Sequence, residues 1–207
     1  MQQTNHLPAG QLPLMEHFFT IQGEGFHSGK PAYFLRLGGC DVGCVWCDVK
    51  ESWDANAHPL TPVENMLESV LASKADTCVI TGGEPLMYEL TTLTKLLRDN
   101  KIRVHLETSG AYSLTGTWDW ITVSPKRFKL PLKENLKAAN ELKVVIYHPN
   151  DLRWAEQFVP QTSEQCLFFL QPEWSRFNEI IPEIIAYVKQ NPHWRISLQI
   201  HKFMNIP

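Results

Sequence analysis

The stretch "PAYFLRLGGCDVGCVWCD", residues 31–48, contains the features that decide how this sequence folds. Residues 31–37 are mostly apolar and predict a buried β-strand. The glycine-rich segment that follows places Cys40, Cys44 and Cys47 within eight positions. Three thiols at this spacing are open to four interpretations: a disulfide, a zinc site, an iron–sulfur cluster, or cysteines without a function. The rest of the sequence must decide between them.

Similar apolar runs recur along the chain and alternate with helical patterns. The runs are rich in Val, Ile, Leu and Phe, as strands covered on both faces tend to be. Predicted strands span residues 31–37, 76–82, 102–108, 118–124, 141–147, 165–171 and 194–200. Predicted helices span residues 61–75 (with Thr61 as N-cap), 87–100, 151–158 and 177–191. This alternation, without repeats or low-complexity linkers, predicts a mostly parallel α/β sheet in a single domain over residues 1–207.

Most of the predicted strands are followed directly by a polar or glycine-rich loop. Right-handed crossovers place the carboxyl ends of parallel strands on one edge of a sheet, where ligands bind. We therefore expect these loops to meet around one site. The loops are "GGCDVGCVWCD", "TGGEP", "ETSGA", "SPKR", "QPEW" and "QIHKF".

Composition and charge exclude several classes of protein. The formal net charge of −3 offers no overall basic character for binding nucleic acid or anionic lipid. No apolar run approaches the roughly 18 residues of a transmembrane helix, and residues 1–17 lack the pattern of a secretory signal. Five cysteines form an odd and clustered set, unlike a secreted disulfide framework. We therefore expect a cytoplasmic protein without a membrane or nucleic-acid partner.

The chemistry of the cysteines narrows the four interpretations. A disulfide between cysteines so close together would strain a short loop. A structural zinc site needs four ligands, and His58 is the residue that could complete it, eleven positions beyond Cys47. Cys78 and Cys166 lie in apolar runs and are predicted to be buried core thiols. Three cysteines are also what a 4Fe–4S cluster needs if one iron is to stay open for a ligand.

The C-x3-C-x2-C spacing, with Trp46 before the third cysteine, resembles the signature of radical S-adenosylmethionine enzymes. The resemblance implies that Cys40, Cys44 and Cys47 hold a 4Fe–4S cluster whose open iron binds S-adenosylmethionine. "TGGEP" resembles the segment that holds the methionyl end of that cofactor. The residues that the resemblance places against the cofactor are Trp46, Cys47, Asp48, Gly83, Glu84, Ser109, Ser124, Pro125 and Lys126.

The segment "FTIQGEGFHSGKPAYFLRLGGC", residues 19–40, and the ending "HKFMNIP" resemble the 7-carboxy-7-deazaguanine synthase family more specifically. That resemblance implies an abbreviated, partly open (β/α) barrel of mostly parallel strands. It implies conversion of 6-carboxy-5,6,7,8-tetrahydropterin to 7-carboxy-7-deazaguanine with loss of ammonia, in queuosine-type 7-deazapurine biosynthesis. It also implies an electron-donor protein and a homodimer. The residues it places against the substrate are Ile21, Gln22, Gly23, Glu24, Arg36, Thr81, His201 and Pro207.

One position departs from the pattern of that family. Members commonly have a threonine directly after Cys-Asp, and its hydroxyl ligates a magnesium ion, but this chain has Val49 there. Magnesium prefers oxygen ligands. Either the ion binds through Asp48, substrate and water, or this chain works without it. Two other functions remain as alternatives: a glycyl-radical-activating enzyme acting on a protein partner, and a zinc-binding structural module.

Overall fold

The structure is a computed structural model that describes residues 8–207. Part of the prediction about a secretory signal concerns residues 1–7, which lie outside the described residues. The strands are β1 Gln11–Ile21, β2 Pro31–Leu37, β3 Leu60–Pro62, β4 Thr77–Gly82, β5 Arg103–Thr108, β6 Trp120–Val123, β7 Glu141–Ile146, β8 Leu167–Pro172 and β9 Trp194–Ile196. The helices are α1 Val63–Ser73, α2 Thr91–Asp99, α3 Lys133–Ala138, α4 Asn150–Glu156, α5 Phe177–Gln190 and α6 Ile200–Met204.

All nine strands of the described residues belong to one sheet, in the order β3-β1-β2-β4-β5-β6-β7-β8-β9. In this spatial order, each neighbouring pair from β2 through β4 to β9 is parallel. Strand β1 pairs antiparallel with both β2 and β3. The two outermost strands, β3 and β9, do not pair with each other, so the barrel is not closed. The predicted α/β fold with a mostly parallel, open sheet is confirmed.

The two faces of the sheet have different chemistry, because successive side chains of a strand point to opposite sides. One face packs against α1, α2 and α5, whose buried residues recur at helical spacing. The buried residues include Met66 and Val70 of α1, Leu93 and Leu97 of α2, and Ile180 and Ile184 of α5. The opposite face carries polar side chains such as Arg36, Glu107 and Lys143 into a cavity. The apolar face fixes the strands, and the polar face forms the candidate site.

Several element boundaries differ from the sequence-based prediction. Thr61 is not the N-cap of α1, because it pairs with Leu12 in the short strand β3, and α1 starts after Pro62. The strand predicted over residues 194–200 ends at Ile196, and α6 begins at Ile200. Strands β1 and β3 and helices α3 and α6 were not predicted. None of the helices within residues 8–207 is long and apolar enough to cross a bilayer.

Candidate active site

The loops at the carboxyl ends of the parallel strands surround one cavity of about 280 Å³. All six loops singled out in the sequence contribute lining residues, so the expectation that they meet is confirmed. Of the residues predicted to bind cofactor, metal or substrate, all but Glu84 and Pro125 line this cavity. The lining residues from those sets are Ile21, Gln22, Gly23, Glu24, Arg36, Cys40, Cys44, Trp46, Cys47, Asp48, Thr81, Gly83, Ser109, Ser124, Lys126, His201 and Pro207.

The cysteine loop is held in place mainly by its own backbone. The Gly39 N–H donates to the Ser52 carbonyl at 2.6 Å, and the Cys40 N–H donates to the Trp53 carbonyl at 3.1 Å. The Tyr88 hydroxyl donates to the Gly38 carbonyl at 2.7 Å. These bonds fix the loop from both ends while leaving its thiols directed at the cavity. A loop positioned through its backbone can present side chains to a ligand without using them as anchors.

Glycine is required where the cysteine loop meets the neighbouring loop after β4. Gly39 has a φ of +98°, a region that L side chains rarely adopt. A Cβ at Gly83 would lie 2.3 Å from the Gly39 carbonyl oxygen and 2.8 Å from the Cys40 Cβ. The two loops therefore approach as closely as backbone allows. This contact creates a cradle beside Cys40 that suits a compact inorganic group.

The five cysteines are free thiols, and burial raises the pKa of Cys40 to about 11. Burial also raises the pKa of the Cys44 thiol. Within residues 8–207, no group of three or more His, Cys, Asp or Glu side chains is gathered tightly enough for a single metal ion. Zinc needs its four ligands around one ion, whereas each thiol of a 4Fe–4S cluster binds a different iron. Cys40, Cys44 and Cys47 line one cavity, where each could bind a different iron of a cluster, and that iron would keep the thiols ionised.

Glu84 does not face the cavity and instead joins two of the loops that form it. Its carboxylate is buried and accepts hydrogen bonds from the Thr108 hydroxyl at 2.5 Å and from the Ser109 backbone N–H at 2.8 Å. The Ser109 hydroxyl and the Leu86 N–H also donate to it. In this structure the carboxylate therefore has protein partners rather than access to a ligand. The position of Glu84 suits a residue that holds Ser109 in place.

The loop after β6 brings a cation beside the cysteine loop. The Lys126 ammonium donates to the carbonyl and hydroxyl of Ser124 at 2.7 Å and 2.5 Å and lies 5.6 Å from the centre of the Trp46 ring. Burial lowers the pKa of Lys126, although the nearby Cys44 acts against this effect. Pro125 shapes this loop but does not line the cavity. Ser124, Lys126 and Trp46 thus form one wall next to the cysteines.

A buried network of charges forms the base of the cavity. The Lys143 side chain is 3% exposed, and its ammonium binds the carboxylates of Glu24 and Glu107, the latter at 2.7 Å. The Gln22 side-chain amide donates to Glu107 at 3.1 Å, and the Gln199 side-chain amide donates to Glu24 at 2.9 Å. Segments from the beginning, middle and end of the chain are therefore joined by one lysine.

Mutual attraction keeps this network ionised despite its burial. Burial acts to raise the pKa of Glu24, but the charge and hydrogen bond of Lys143 outweigh it and lower that pKa to about 2. Burial acts to lower the pKa of Lys143, but Glu107, Glu24 and Glu141 hold it above its usual range. Each partner thus depends on the others for its charge. The network offers fixed acceptors at one end of the cavity.

The C-terminal segment closes the cavity from the other side. The Ile200 N–H donates to the Gly23 carbonyl at 3.0 Å, and the His201 ring packs so closely that a Cβ on Gly23 would lie 2.1 Å from its Nδ1. The Thr20 hydroxyl donates to the carbonyl oxygen of Pro207 at 3.2 Å. Burial lowers the pKa of His201, although Glu24 acts against it. The end of the chain is thus anchored to the segment that contains Gln22 and Glu24.

Two further predicted residues lie at the rim with partners of their own. Arg36 donates through its Nε to Glu16 at 2.6 Å, which leaves its other N–H groups free to face the cavity. Asp48 accepts a hydrogen bond from the Lys202 ammonium at 2.8 Å. Val49 also lines the cavity and contributes no side-chain oxygen.

Sequence reasoning missed several residues of the site. Glu107 and Lys143 are the most consequential, because they hold Glu24 and Gln22 in position. A signal for Lys143 was present, since it is a charged residue in the middle of the apolar run "ELKVVI". Gln171, Trp174 and Gln199 also line the cavity. They lie in two of the segments singled out in the sequence, but nothing marked them individually.

Comparison with known proteins agrees with this geometry. The radical SAM superfamily model matches residues 35–143. A 7-carboxy-7-deazaguanine synthase of Flavobacterium psychrophilum is 53% identical over 196 residues, covering 95% of this chain and 93% of the relative. The protein of the same name from Escherichia coli K12 is 33% identical over 228 residues, covering 95% and 99%. The crystal structure of QueE from Escherichia coli matches with a TM-score of 0.80 at 32% identity, covering 91% of this chain and 93% of that one.

Identity at this level and coverage of both chains exceed what a shared fold alone would produce. Both matches cover more than nine-tenths of this chain. The chain belongs to the 7-carboxy-7-deazaguanine synthase family of the radical SAM superfamily.

Proposed function

We propose that the protein converts 6-carboxy-5,6,7,8-tetrahydropterin to 7-carboxy-7-deazaguanine with loss of ammonia, using a 4Fe–4S cluster and S-adenosylmethionine. One observation carries the proposal: a single cavity contains the three thiols of the cysteine loop and, at its base, the Lys143 network. A small substrate in that cavity would lie next to a cofactor bound at the cysteines. Proximity of that kind is what a radical transfer between them requires.

The cysteine side of the cavity has the groups to hold the cofactors. Cys40, Cys44 and Cys47 are the proposed ligands of the cluster. A reduced cluster with S-adenosylmethionine bound there would supply the radical chemistry for removing a hydrogen atom at C6 of the pterin. The hydroxyl groups of Ser109 and Ser124 are hydrogen-bonding groups for the methionyl and ribose parts of the cofactor. Backbone from Trp46 to Asp48 is the proposed contact of the adenine.

The opposite side suits a carboxylated pterin. The aminopyrimidine edge is a planar set of donors and acceptors, and Gln22, Glu24 and Glu107 present fixed acceptors and donors at the base of the cavity. The free N–H groups of Arg36 can pair with the substrate carboxylate in a bidentate manner. The groups that hold the ring are thus separate from those that hold the carboxylate, which orients the pterin in one way.

The C-terminal segment lies along the proposed substrate site, where it can hold the substrate in place. His201 packs on Gly23, and the Thr20 hydroxyl donates to an oxygen of Pro207. Ile21 and Thr81 line the cavity between the two proposed sites. A cavity of about 280 Å³ suits a small molecule, which favours this function over a glycyl-radical-activating enzyme that must admit a protein partner.

We also propose the wider setting that the family resemblance implies. It consists of an electron-donor protein, a homodimer, and action of residues 1–207 as a single domain in the cytoplasm. Five free thiols are in keeping with a reducing compartment. Light scattering of the anaerobically purified protein tests the dimer, and a monomer would contradict it.

The reaction is tested by incubating the cluster-loaded protein under anaerobic conditions with reductant, S-adenosylmethionine and the carboxypterin. We expect mass analysis to show 7-carboxy-7-deazaguanine, and none when S-adenosylmethionine is left out. A brown, cluster-containing protein that binds the cofactor but makes no such product would contradict the proposed substrate.

A further inference from the structure

Asp48 and Lys202 form an ion pair at the rim of the cavity, where related chains have an oxygen ligand for a metal. The distance between the carboxylate oxygen and the ammonium is 2.8 Å. Asp48 ends the cysteine motif, and Lys202 belongs to the C-terminal helix α6. The pair thus joins two segments 154 residues apart. Val49 follows Asp48 and lines the same cavity.

The donor groups in the cavity lining do not fit a magnesium ion. Magnesium demands near-octahedral oxygen coordination, usually with one or two free carboxylates. The lining contains four carboxylates, and each already has a protein partner. Asp48 is paired with Lys202, Glu24 and Glu107 are both paired with Lys143, and Glu173 accepts from the N–H and hydroxyl of Ser175. The Val49 side chain offers no oxygen at all.

Arg36 supplies a cation for the substrate carboxylate, but the charge of Asp48 still has to be neutralised at this rim. The proposed substrate carries a carboxylate, and an unpaired Asp48 in the same cavity would repel it. A metal ion would remove that repulsion by binding between the two carboxylates. Lys202 removes it by direct pairing with Asp48.

The packing of α6 holds the ammonium in this position. Lys202 Nζ lies 5.3 Å from the centre of the Trp174 ring, and its side chain is 21% exposed. Phe203 packs edge-on against both Trp174 and Phe177. A lysine held by an aromatic face and its own helix loses less freedom on pairing with Asp48 than a free surface lysine would.

We propose that the Lys202 ammonium takes the place of the magnesium ion of related chains, so that substrate binds here without a divalent cation. The proposal rests on the proposed function, because it assumes a carboxylated substrate. It assigns Lys202 as the residue that neutralises Asp48 beside the substrate site. It predicts that substitutions at positions 49 and 202 can replace the lysine by a divalent cation as the partner of Asp48.

The experiment uses the cluster-loaded protein with S-adenosylmethionine and no reductant. The dissociation constant of the carboxypterin is measured by equilibrium dialysis in excess EDTA and again in millimolar Mg²⁺. For the wild type we expect the same value, within about twofold, in both conditions. Lys202→Met should weaken binding by about threefold to fivefold, because it leaves Asp48 unpaired at a partly exposed site. Lys189→Met, a change of an exposed lysine on α5, is the matched control and should leave binding unchanged.

The exchange is tested with the double variant Val49→Thr/Lys202→Met, which restores a hydroxyl and frees Asp48. We expect Mg²⁺ to recover most of the lost affinity in this variant. We also expect electron paramagnetic resonance to detect tight Mn²⁺ binding in it and none in the wild type. The Mn²⁺ measurement needs no turnover, so it tests metal binding even if the protein does not catalyse the proposed reaction.

Three results would overturn the proposal. They are a wild-type affinity that falls on removal of Mg²⁺, stoichiometric Mn²⁺ binding to the wild-type complex, and unchanged substrate affinity in Lys202→Met. A double variant that gains neither Mn²⁺ binding nor a response to Mg²⁺ would also count against it, because the lysine and the metal would then not share one position.

Discussion

The cavity has two halves that are held together by different forces. The cofactor half, formed by residues 38–48, 81–85, 108–110 and 124–126, is positioned mainly by backbone hydrogen bonds and close glycine contacts. The substrate half, formed by residues 20–25, Glu107, Lys143 and residues 199–207, is positioned by side chains that pair across more than a hundred residues of sequence. The cofactor half is drawn from residues 38–126, whereas the substrate half also joins residues 20–25 to residues 199–207.

This difference predicts how each half responds to substitution. In the cofactor half a thiol can be removed without disturbing the loop that carries it, so function should be lost while the fold persists. In the substrate half the charges stabilise each other, so removing one should cost both stability and binding. The following changes are ordered by the size of the effect that we expect.

Replacing Cys40 by alanine should have the largest effect, because it removes one of the three proposed cluster ligands. We expect complete loss of S-adenosylmethionine cleavage, with the protein still folded by circular dichroism. Cys166→Ala is the matched control, since Cys166 is a buried thiol of the core far from the cysteine loop in sequence. Iron content and cofactor cleavage are measured under anaerobic conditions. Normal turnover of Cys40→Ala would remove this cysteine from the ligand set.

Replacing Lys143 by methionine should destabilise the protein itself. The change leaves the carboxylates of Glu24 and Glu107 without their cation in a buried site, and breaking such a pair costs about 3–5 kcal/mol. Urea unfolding followed by circular dichroism measures the difference from the wild type. The double variant Lys143→Met/Glu107→Gln should regain part of the loss, because it removes one of the unpaired charges. A loss below about 1 kcal/mol would show that the network is not what holds this half together.

Glu141 should make stability depend on pH near neutrality. It is 2% exposed, and burial raises its pKa from 4.5 to about 7, although Lys143 and the N–H of Phe26 act against this. The folded state therefore holds a proton that the unfolded state releases between pH 4.5 and 7. Stability from this group is lost as pH rises through that window, by about 3 kcal/mol in total.

The change Glu141→Gln isolates that contribution. Burial lowers the pKa of the neighbouring His105 to about 4, which gives the opposite trend between pH 6.5 and 4, so the wild type alone is not informative. We expect the difference in unfolding free energy between the variant and the wild type to grow in favour of the variant from pH 4.5 to 7. A difference that stays constant across this range would mean that Glu141 keeps an ordinary pKa.

The same division explains which features the sequence could predict. Cys40, Cys44 and Cys47 occur at a short fixed spacing, and the strand before them was predicted with the bounds that the structure shows. The convergence of the strand-end loops followed from the parallel sheet. Glu107 and Lys143 were missed, because pairing of side chains 36 residues apart depends on which strands become neighbours. Glu84 was assigned to the cofactor although its carboxylate turns away to join two loops.

The boundaries that differ have similar physical causes. The alternation of β1 is interrupted by Pro13, and its pairing with the three residues of β3 cannot be seen locally. Helix α6 is only five residues long, and it is held by contacts with Gly23, Asp48 and Trp174 rather than by helix propensity. Sequence patterns report local preference, and these elements exist through tertiary contacts.

Radical transfer between the two halves is tested most directly with carboxypterin deuterated at C6. The cluster-loaded protein is incubated under anaerobic conditions with reductant and unlabelled S-adenosylmethionine, and the 5′-deoxyadenosine is examined by mass spectrometry. If the cofactor and the substrate share this cavity, deuterium should appear in 5′-deoxyadenosine. Formation of unlabelled 5′-deoxyadenosine alone, with the deuterated pterin unchanged, would show that the two halves do not form one active site.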